Sequence, residues 1–588
     1  MIWVKRISLT ILAILLLLMI TVAVILYTPA GLKIASWGAQ KALPALSIGE
    51  TSGSLFRGFQ VDNVRYQDSN MNLAVNRLNL TLDDRCLLTP EICISNVGVN
   101  GVKFSMPTLP PTTEPGQPLK PVTEISLPIP IKVDHVTLDN IDLDILSNKV
   151  NWQHFSTAAT VIGSHVILKP TDWDNIKLAL APAKKPVKSK AKPKVKVKAK
   201  SDATVITLPD VVLPMSFDIE RFTIKNFELE GKTPQKVSLL EVRAAGKGSE
   251  INLKKLQLDA PQANLKAQAQ VTLAGDYPLT LNADANIAMK PVSGQTLTLK
   301  ASGSLQKLVV DAQLKGKLDA IVKGKLSPLK ADFPFDVAIS SQHLQWPIDK
   351  SAEFTVDKTN IDAKGSLNGF TFNAKSNIDG KPMPAVKFDL NGKGDLNKVD
   401  LSSLKINTLG GVITGNAKAS WKDLVNWSGQ LQFADIQPGL QWPAAQGNVS
   451  GKLATSGGLT KHGGWFVKLP QLAVNGTIMK QALTLVGKLD ASDINGKGDP
   501  LQVNTPGLTL KHGPNGMMVK GQLDKTWNMV ANINAPNLSK SLKGLHGAVN
   551  GDVMLSGSMA TPDVKLDLQG NDLGWQQLAS LASFNLKG

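Results

Sequence analysis

The stretch VDLSSLKINTLGGVITGNAKASW, Val399 to Trp421, decides how this chain is read. Its first half places Val399, Leu401, Leu404, Ile406 and Leu409 at steps of two, three, two and three. A step of two is a β-strand with one apolar face, and a single extra residue would turn that face over unless a bulge or bend restores it. Its second half alternates without interruption: Ile413, Gly415, Ala417, Ala419 and Trp421 face one way, Val412, Thr414, Asn416, Lys418 and Ser420 the other. The stretch therefore reads as a bent strand, a Gly410-Gly411 turn, and a straight strand whose apolar face is small at its centre.

The same pair of readings recurs. Bent segments include Val136 to Ile145, Phe217 to Leu229, Ile251 to Leu258 and Trp465 to Val474. Straight segments follow several of them: Leu265, Ala267, Ala269, Val271 and Leu273 after Leu258, then Leu483, Leu485, Gly487 and Leu489 after Val474. Further on, Met517, Val519, Gly521 and Leu523 alternate in the same way, as do Val549, Gly551, Val553 and Leu555. A unit of about 25–40 residues repeated this way, irregular in length, implies a quasi-one-dimensional stack. About 25 strands at ~4.8 Å each would make that stack on the order of 100 Å long.

Such a face must be covered. More than thirty inward apolar residues at about 1.5–3 kcal/mol each exceed the net stability of an ordinary domain. Helical segments are too scarce to do the covering. Two architectures remain: a sheet closed on itself around a packed core, with small residues permitting close approach, or a trough whose interior takes another apolar substance. Gly and Ala at strand centres leave space that a core at crystal-like density would fill, and this favours the trough.

Location is read at the N-terminus. Lys5 and Arg6 precede 21 uncharged residues, Ile7 to Tyr27, with Leu16 near the middle. That is long for a cleaved signal and long enough to span a bilayer. Residues 1–30 thus read as an uncleaved signal-anchor transmembrane helix, N-terminus inside, followed by a short interfacial helix over 31–45. The body is expected beyond the inner membrane, in the periplasm. Residues 46–180 form a first β segment, interrupted by a proline-rich loop at 107–130. A lysine-rich linker covers 181–203, and β repeats continue over 204–588. SWKDLVNW and NLSKSLKGL read as short helices or turns, and SLASFNLKG as the opening of a further repeat, so a truncated C-terminus is expected.

The net charge of +17 invites a nucleic-acid reading, but nine of those charges lie in Lys184–Lys200, a tract without acids or aromatics. The remaining +8 is ordinary for this length, and the tract reads as a solvated, self-repelling linker or a contact to anionic head groups. No nucleic-acid partner is expected. Cys86 and Cys93 could be an unpaired or metal-binding pair. Beyond a signal anchor, in an oxidising compartment, they are expected to form a local disulfide. The seven His residues have no metal spacing, and neither a GxSxG elbow nor a GxxxxGK[ST] loop is present. No enzyme activity, catalytic residue, metal or cofactor is expected.

The signal anchor, LSIGETSGSLFRGFQVDNVRYQ (Leu46–Gln67), the spaced cysteines and LKHGPNGMMVKGQL (Leu510–Leu523) in a field of strands resemble the TamB family of AsmA-like, bridge-like lipid transfer proteins. The resemblance covers essentially the whole chain and the N-terminal part of a family member. It implies an all-β fold, an elongated curled sheet or β-taco with an apolar groove, behind one transmembrane helix. It further implies phospholipid as cargo moving from the inner membrane toward the outer, and a link to outer-membrane protein assembly through a TamA-like barrel partner, met by a C-terminal region expected to be missing here. The groove would be lined by the Leu265–Leu273, Leu483–Leu489 and Ile413–Trp421 sets, with Val519, Gly521, Leu523, Val549, Gly551 and Val553. A structural tether with a dry core is the remaining alternative.

Overall fold

The computed structural model describes residues 16–83, 86, 89–107, 125–181, 206–231, 233–381, 383–497, 501–576 and 579–588. About 70% of the chain is strand and 6% helix. The chain divides into two compact units, Met1–Ala312 and Gln313–Gly588. Strand Lys307–Lys315 crosses their boundary. Ile7 and the lysine tract Lys184–Lys200 lie outside the described residues, as does most of the proline-rich stretch.

The first unit opens with helices α1 (Leu16–Tyr27) and α2 (Pro29–Ala42), bent by 77° at Thr28. Pro29 has no N–H to continue the ladder of α1, so the bend falls there. Among the described residues no single helix is long and apolar enough to cross a membrane; the bent pair passes that test together, by length and composition. The expected boundary at residue 30 therefore moves to the Thr28-Pro29 bend.

Strands from Leu46–Ser47 to Gln295–Ser304 then form one sheet. It is antiparallel except where Ile92–Met106 pairs with Leu127–Ile145 and where Ser216–Glu230 pairs with His165–Leu168 and Thr171–Ala179. A parallel pair needs a long return connection. The two long breaks in the strand pattern, 107–126 and 180–215, are those returns. The first is shorter than its proline content suggests, since Leu127 to Pro130 already lie in the strand Leu127–Ile145. Near the end of the second, Val211 to Leu213 runs along the ends of neighbouring strands. The Val211 N–H bonds the Leu273 carbonyl at 2.8 Å, and the Leu213 N–H bonds the Gly248 carbonyl at 2.8 Å.

The second unit is an antiparallel meander from Ala320–Leu326 to Ala579–Lys587. SLASFNLKG falls in its last strand, NLSKSLKGL holds one 3-10 turn at Leu538–Lys540, and SWKDLVNW is a bend leading into Asn426–Ile436.

The two-three spacings are bulges. Register shifts fall between Ile219 and Phe222, Leu253 and Leu256, Leu401 and Leu404, and Leu469 and Leu472. In the first unit the bulges stack across strands. Asn63, Gly101, Asn140, Asn175 and Asn226 all have positive φ, and pairing skips them together in adjacent strands. Their amides form part of a ladder: the Asn226 amide donates to Asn175 at 3.0 Å and the Asn175 amide to Gln153 at 2.8 Å. Asn tolerates the left-handed conformation better than other residues with a Cβ, and here it also fills the crease.

Candidate functional site

Register assigns the faces. Cross-strand partners share a face, so the apolar residues can be followed from strand to strand. In the second unit one row runs from Val322 through Ile339, Ile361, Ala374, Leu390, Leu404, Gly415 and Leu431. It continues through Leu453, Leu472, Gly487, Leu508, Val519, Ala531 and Val553 to Leu566. Sixteen successive strands contribute one residue each, and none of the sixteen is polar. At ~4.8 Å per strand the row extends on the order of 70 Å along the sheet.

The first unit has its own row. Val61, Leu78, Val99, Leu138, Phe155 and Trp173 lead across two antiparallel pairs, a parallel pair and two more antiparallel pairs. Ile224, Leu240, Leu258, Leu265, Ala285 and Leu297 carry it on. Bulges that turn only part of a strand would scramble such a row. Because they stack in register, the apolar face survives them.

Burial distinguishes this face from a core. Of the sixteen residues in the second row only Ala374 is buried, at 9% exposure; the rest are half-buried. In the first row only Val61 is buried, and its large members Phe155, Trp173 and Leu258 are half-buried. A packed second layer would bring Leu and Ile close to zero. Strands here pack sideways on their hydrogen-bonded neighbours. The opposite face is wet and charged. Lys255 and Arg243 bond the Glu241 carboxylate at 2.7 and 2.8 Å, and the Lys255 bond is the main cause that holds this carboxyl below the usual range. Lys418 pairs with Asp400 at 3.3 Å.

Of the residues expected to line a groove, Leu265, Ala267, Ala269, Val271 and Leu273 lie on the half-covered face, as do Ile413, Gly415, Ala417 and Ala419. The same holds for Leu483, Leu485, Gly487, Leu489, Val519, Gly521, Leu523, Val549, Gly551 and Val553. Ala267 and Leu523 are the most covered, at 9% and 3% exposure. Trp421 differs: it stands just past its strand, 48% exposed, with its indole N–H bonded to the Leu396 carbonyl at 2.8 Å. It marks the rim and not the wall.

The glycines are not empty floor. At Gly415 the place a Cβ would take is held by the Gln430 carbonyl oxygen, at Gly487 by that of Gly507, and at Gly551 by that of Asp567. Gly415 stands opposite Leu404 at the bulge of the neighbouring strand. Bulge and glycine work together, one lengthening a strand and the other letting its neighbour close up. Elsewhere an aromatic ring lies over the glycine opposite it, as Phe217 over Gly246, Phe433 over Gly451 and Trp427 over Gly457.

Sequence reading missed the asparagine creases. The signal was present as VDNV, LDNI, WDNI and IKNF, each with Asn at the bulge. Cys86 and Cys93 are joined in a disulfide with Cα atoms 5.9 Å apart, and Cys93 is buried at the start of strand Ile92–Met106. The Glu91 carboxylate lies near both sulfurs, but sulfurs paired with each other are not thiolate ligands.

Comparison with known proteins adds to this geometry. A family model described as TamB, N-terminal domain, matches residues 18–588. The protein named translocation and assembly module subunit TamB from Haemophilus influenzae is 26% identical over 616 aligned positions, covering 100% of this chain and 47% of that protein. An uncharacterised protein of Buchnera aphidicola is 20% identical over 554 positions, covering 90% of this chain and 54% of its own length. The chain thus spans about half the length of these curated relatives. No solved structure matches it.

Proposed function

Starting from the fact that this chain belongs to the family of the TamB N-terminal domain, we propose that its apolar face binds the acyl chains of phospholipids and conducts them along the sheet. The carrying observation is the row from Val322 to Leu566: unbroken over sixteen strands, apolar throughout, and only half-covered by protein. An aliphatic surface of that extent is costly in water, and acyl chains match it in shape and chemistry. On this reading the N-terminal helices anchor the chain in the inner membrane, the sheet lies in the periplasm, and the cargo moves toward the outer membrane. The ion-paired polar face would remain in water.

Photo-crosslinkers placed at Ala417, Ala419 and Ala267 test the reading. Lipid adducts are expected there and not at Lys418, one residue away on the opposite face. Adducts at Lys418 alone would sink the idea. An Ala417→Arg change is expected to leave strand content intact while lowering lipid capture; in a dry core the same change would unfold the sheet.

A second reading is assembly of outer-membrane proteins with a barrel partner, favoured by the name of the Haemophilus relative. Polypeptide adducts from the same three positions would support it by strand addition or apolar capture.

A further inference from the structure

The elbow between α1 and α2 has charge and shape that the sheet does not explain. From Met1 to Gly49 the chain carries Lys5, Arg6, Lys33 and Lys41 and no acidic residue. On α2, Lys33, Trp37 and Lys41 fall four residues apart and so share a face, with Ile34 beside Trp37. Trp37 is 63% exposed and Ile34 59%, while Gly31 and Leu32 on the other side are buried. Along α1 the apolar side chains from Leu16 to Ile25 are exposed all round.

The elbow is fixed to the sheet by the first hairpin. The Phe56 N–H donates to the Leu26 carbonyl at 3.0 Å, and the Phe56 ring lies 4.9 Å from that of Tyr27. The Arg57 guanidinium sits 5.7 Å from the Tyr27 ring centroid. Among the described residues, Lys33, Lys41 and Arg57 have no carboxylate partner. Three cations without a carboxylate partner, an exposed tryptophan and an aliphatic neighbour thus lie along α2 and the hairpin tip that packs on the elbow, where the helical pair turns through 77°.

We infer that α2 and the Ser54–Gly58 hairpin tip form a docking surface for an anionic bilayer. Trp37 and Ile34 enter the interface, while Lys33, Lys41 and Arg57 meet head-group phosphates. A helix whose exposed face carries an aromatic and aliphatic anchor between cations lies in the interface plane, the lysine head groups reaching the phosphates, and Tyr27 stands at the depth where an aromatic belt sits. The strict lack of acid over Met1–Gly49 is what points to an anionic surface and not to a protein partner. This rests on α1 lying in a membrane, and is independent of what the apolar sheet face carries.

The test uses the full chain in nanodiscs of phosphatidylcholine, with and without phosphatidylglycerol as about a third of the lipid. A photo-crosslinker at position 37 should capture lipid, and phosphatidylglycerol well above its share of the mixture. Three cations near the surface set that preference at roughly tenfold or more at low salt, reduced by screening. Arg57→Gln should lower it, and adding Lys33→Gln and Lys41→Gln should bring capture down to the mole fraction. Capture at the mole fraction in the unmodified chain, adducts to protein only, no adduct at all, or a preference unchanged in the triple variant would overturn the inference. A crosslinker at Ala417 separates the two readings: lipid at 417 without lipid at 37 removes the docking surface and leaves the conduit, and the reverse result does the opposite.

Discussion

Gly415 and Ala417 sit two residues apart on one face and do different jobs. At Gly415 the Gln430 carbonyl oxygen holds the place of a side chain, so any Cβ must push the next strand away. At Ala417 the cross-strand partner on one side is Gly429, which adds no side chain. Gly415→Val is expected to destabilise the local sheet by about 1–3 kcal/mol through overpacking against backbone. Amide exchange in Lys398–Thr408 and Asn426–Ile436 should then accelerate roughly tenfold or more. Ala417→Val meets no side chain on the Gly429 side, and its exchange rates should stay within a few-fold of the parent. Equal acceleration in both variants would contradict this difference between the two positions.

The strands Phe335–Trp346 and Phe354–Ser366 show how a crease is held where no Asn ladder exists. Lys358 takes positive φ, and the polar groups around it are buried: Thr359 and Ser376 share a hydrogen bond of 2.7 Å, and the Ser341 hydroxyl donates to Asp319 at 3.2 Å. The His343 imidazole lies 2.6 Å from the Asp357 carboxylate, whose bond is the main reason its pKa is raised above 6.5. A raised value means that His343 contributes stability fully below its unfolded pKa, and loses it as pH rises through the folded value. Burial pushes the Asp319 carboxyl up, but the N–H groups of His343 and Gln342 outweigh it and leave the group below 3.8. Its contribution is present above the unfolded value and lost as pH falls through the lowered one. Protection of these two strands, corrected for intrinsic exchange, should therefore fall on going from mildly acidic to mildly basic solution. His343→Gln should abolish that slope, and a slope that survives the substitution would rule out this histidine. This cluster was not legible in the sequence, because His343, Asp357 and Asp319 meet only once register is set. The irregularities at Leu401–Leu404 and Leu253–Leu256 were legible, since a change of step from two to three in a sheet with one apolar face requires a bulge or a bend, and register shows which. The parallel pairs were not foreseen: a long polar break between strands signals a return connection, but not which strand it returns to. The alanines of the half-covered face could be read from alternation, whereas the role of the glycines could not, because alternation cannot tell an empty position from one held by a neighbouring carbonyl.

Within each unit the sheet grows by adding one strand beside the last, and contact is almost entirely between neighbours. Stability in such a stack is a sum of local terms, and parts can be removed if direction and register are kept. The hairpin Gly411–Ile436 is such a part. Lys398–Thr408 ends, and Gly447–Leu459 begins, on the same side of the sheet, because two antiparallel strands lie between them. With the hairpin deleted, Leu404 would face Leu453, and the apolar row would continue from Leu390 to Leu472 with two rungs fewer, about 10 Å shorter. The deleted chain is expected to keep its strand signal in circular dichroism, resist limited proteolysis, and still give lipid adducts from a crosslinker at Leu485. Deleting one strand alone, Gly411–Ser420, leaves the next strand starting on the wrong side of the sheet. The connection across the deletion would then have to cross a face of the sheet, or every later strand would turn its apolar side to the opposite face, so that variant should be cleaved readily and lose the adducts. If both deletions behave alike, either by folding or by failing, the sheet is not the additive stack that its register describes.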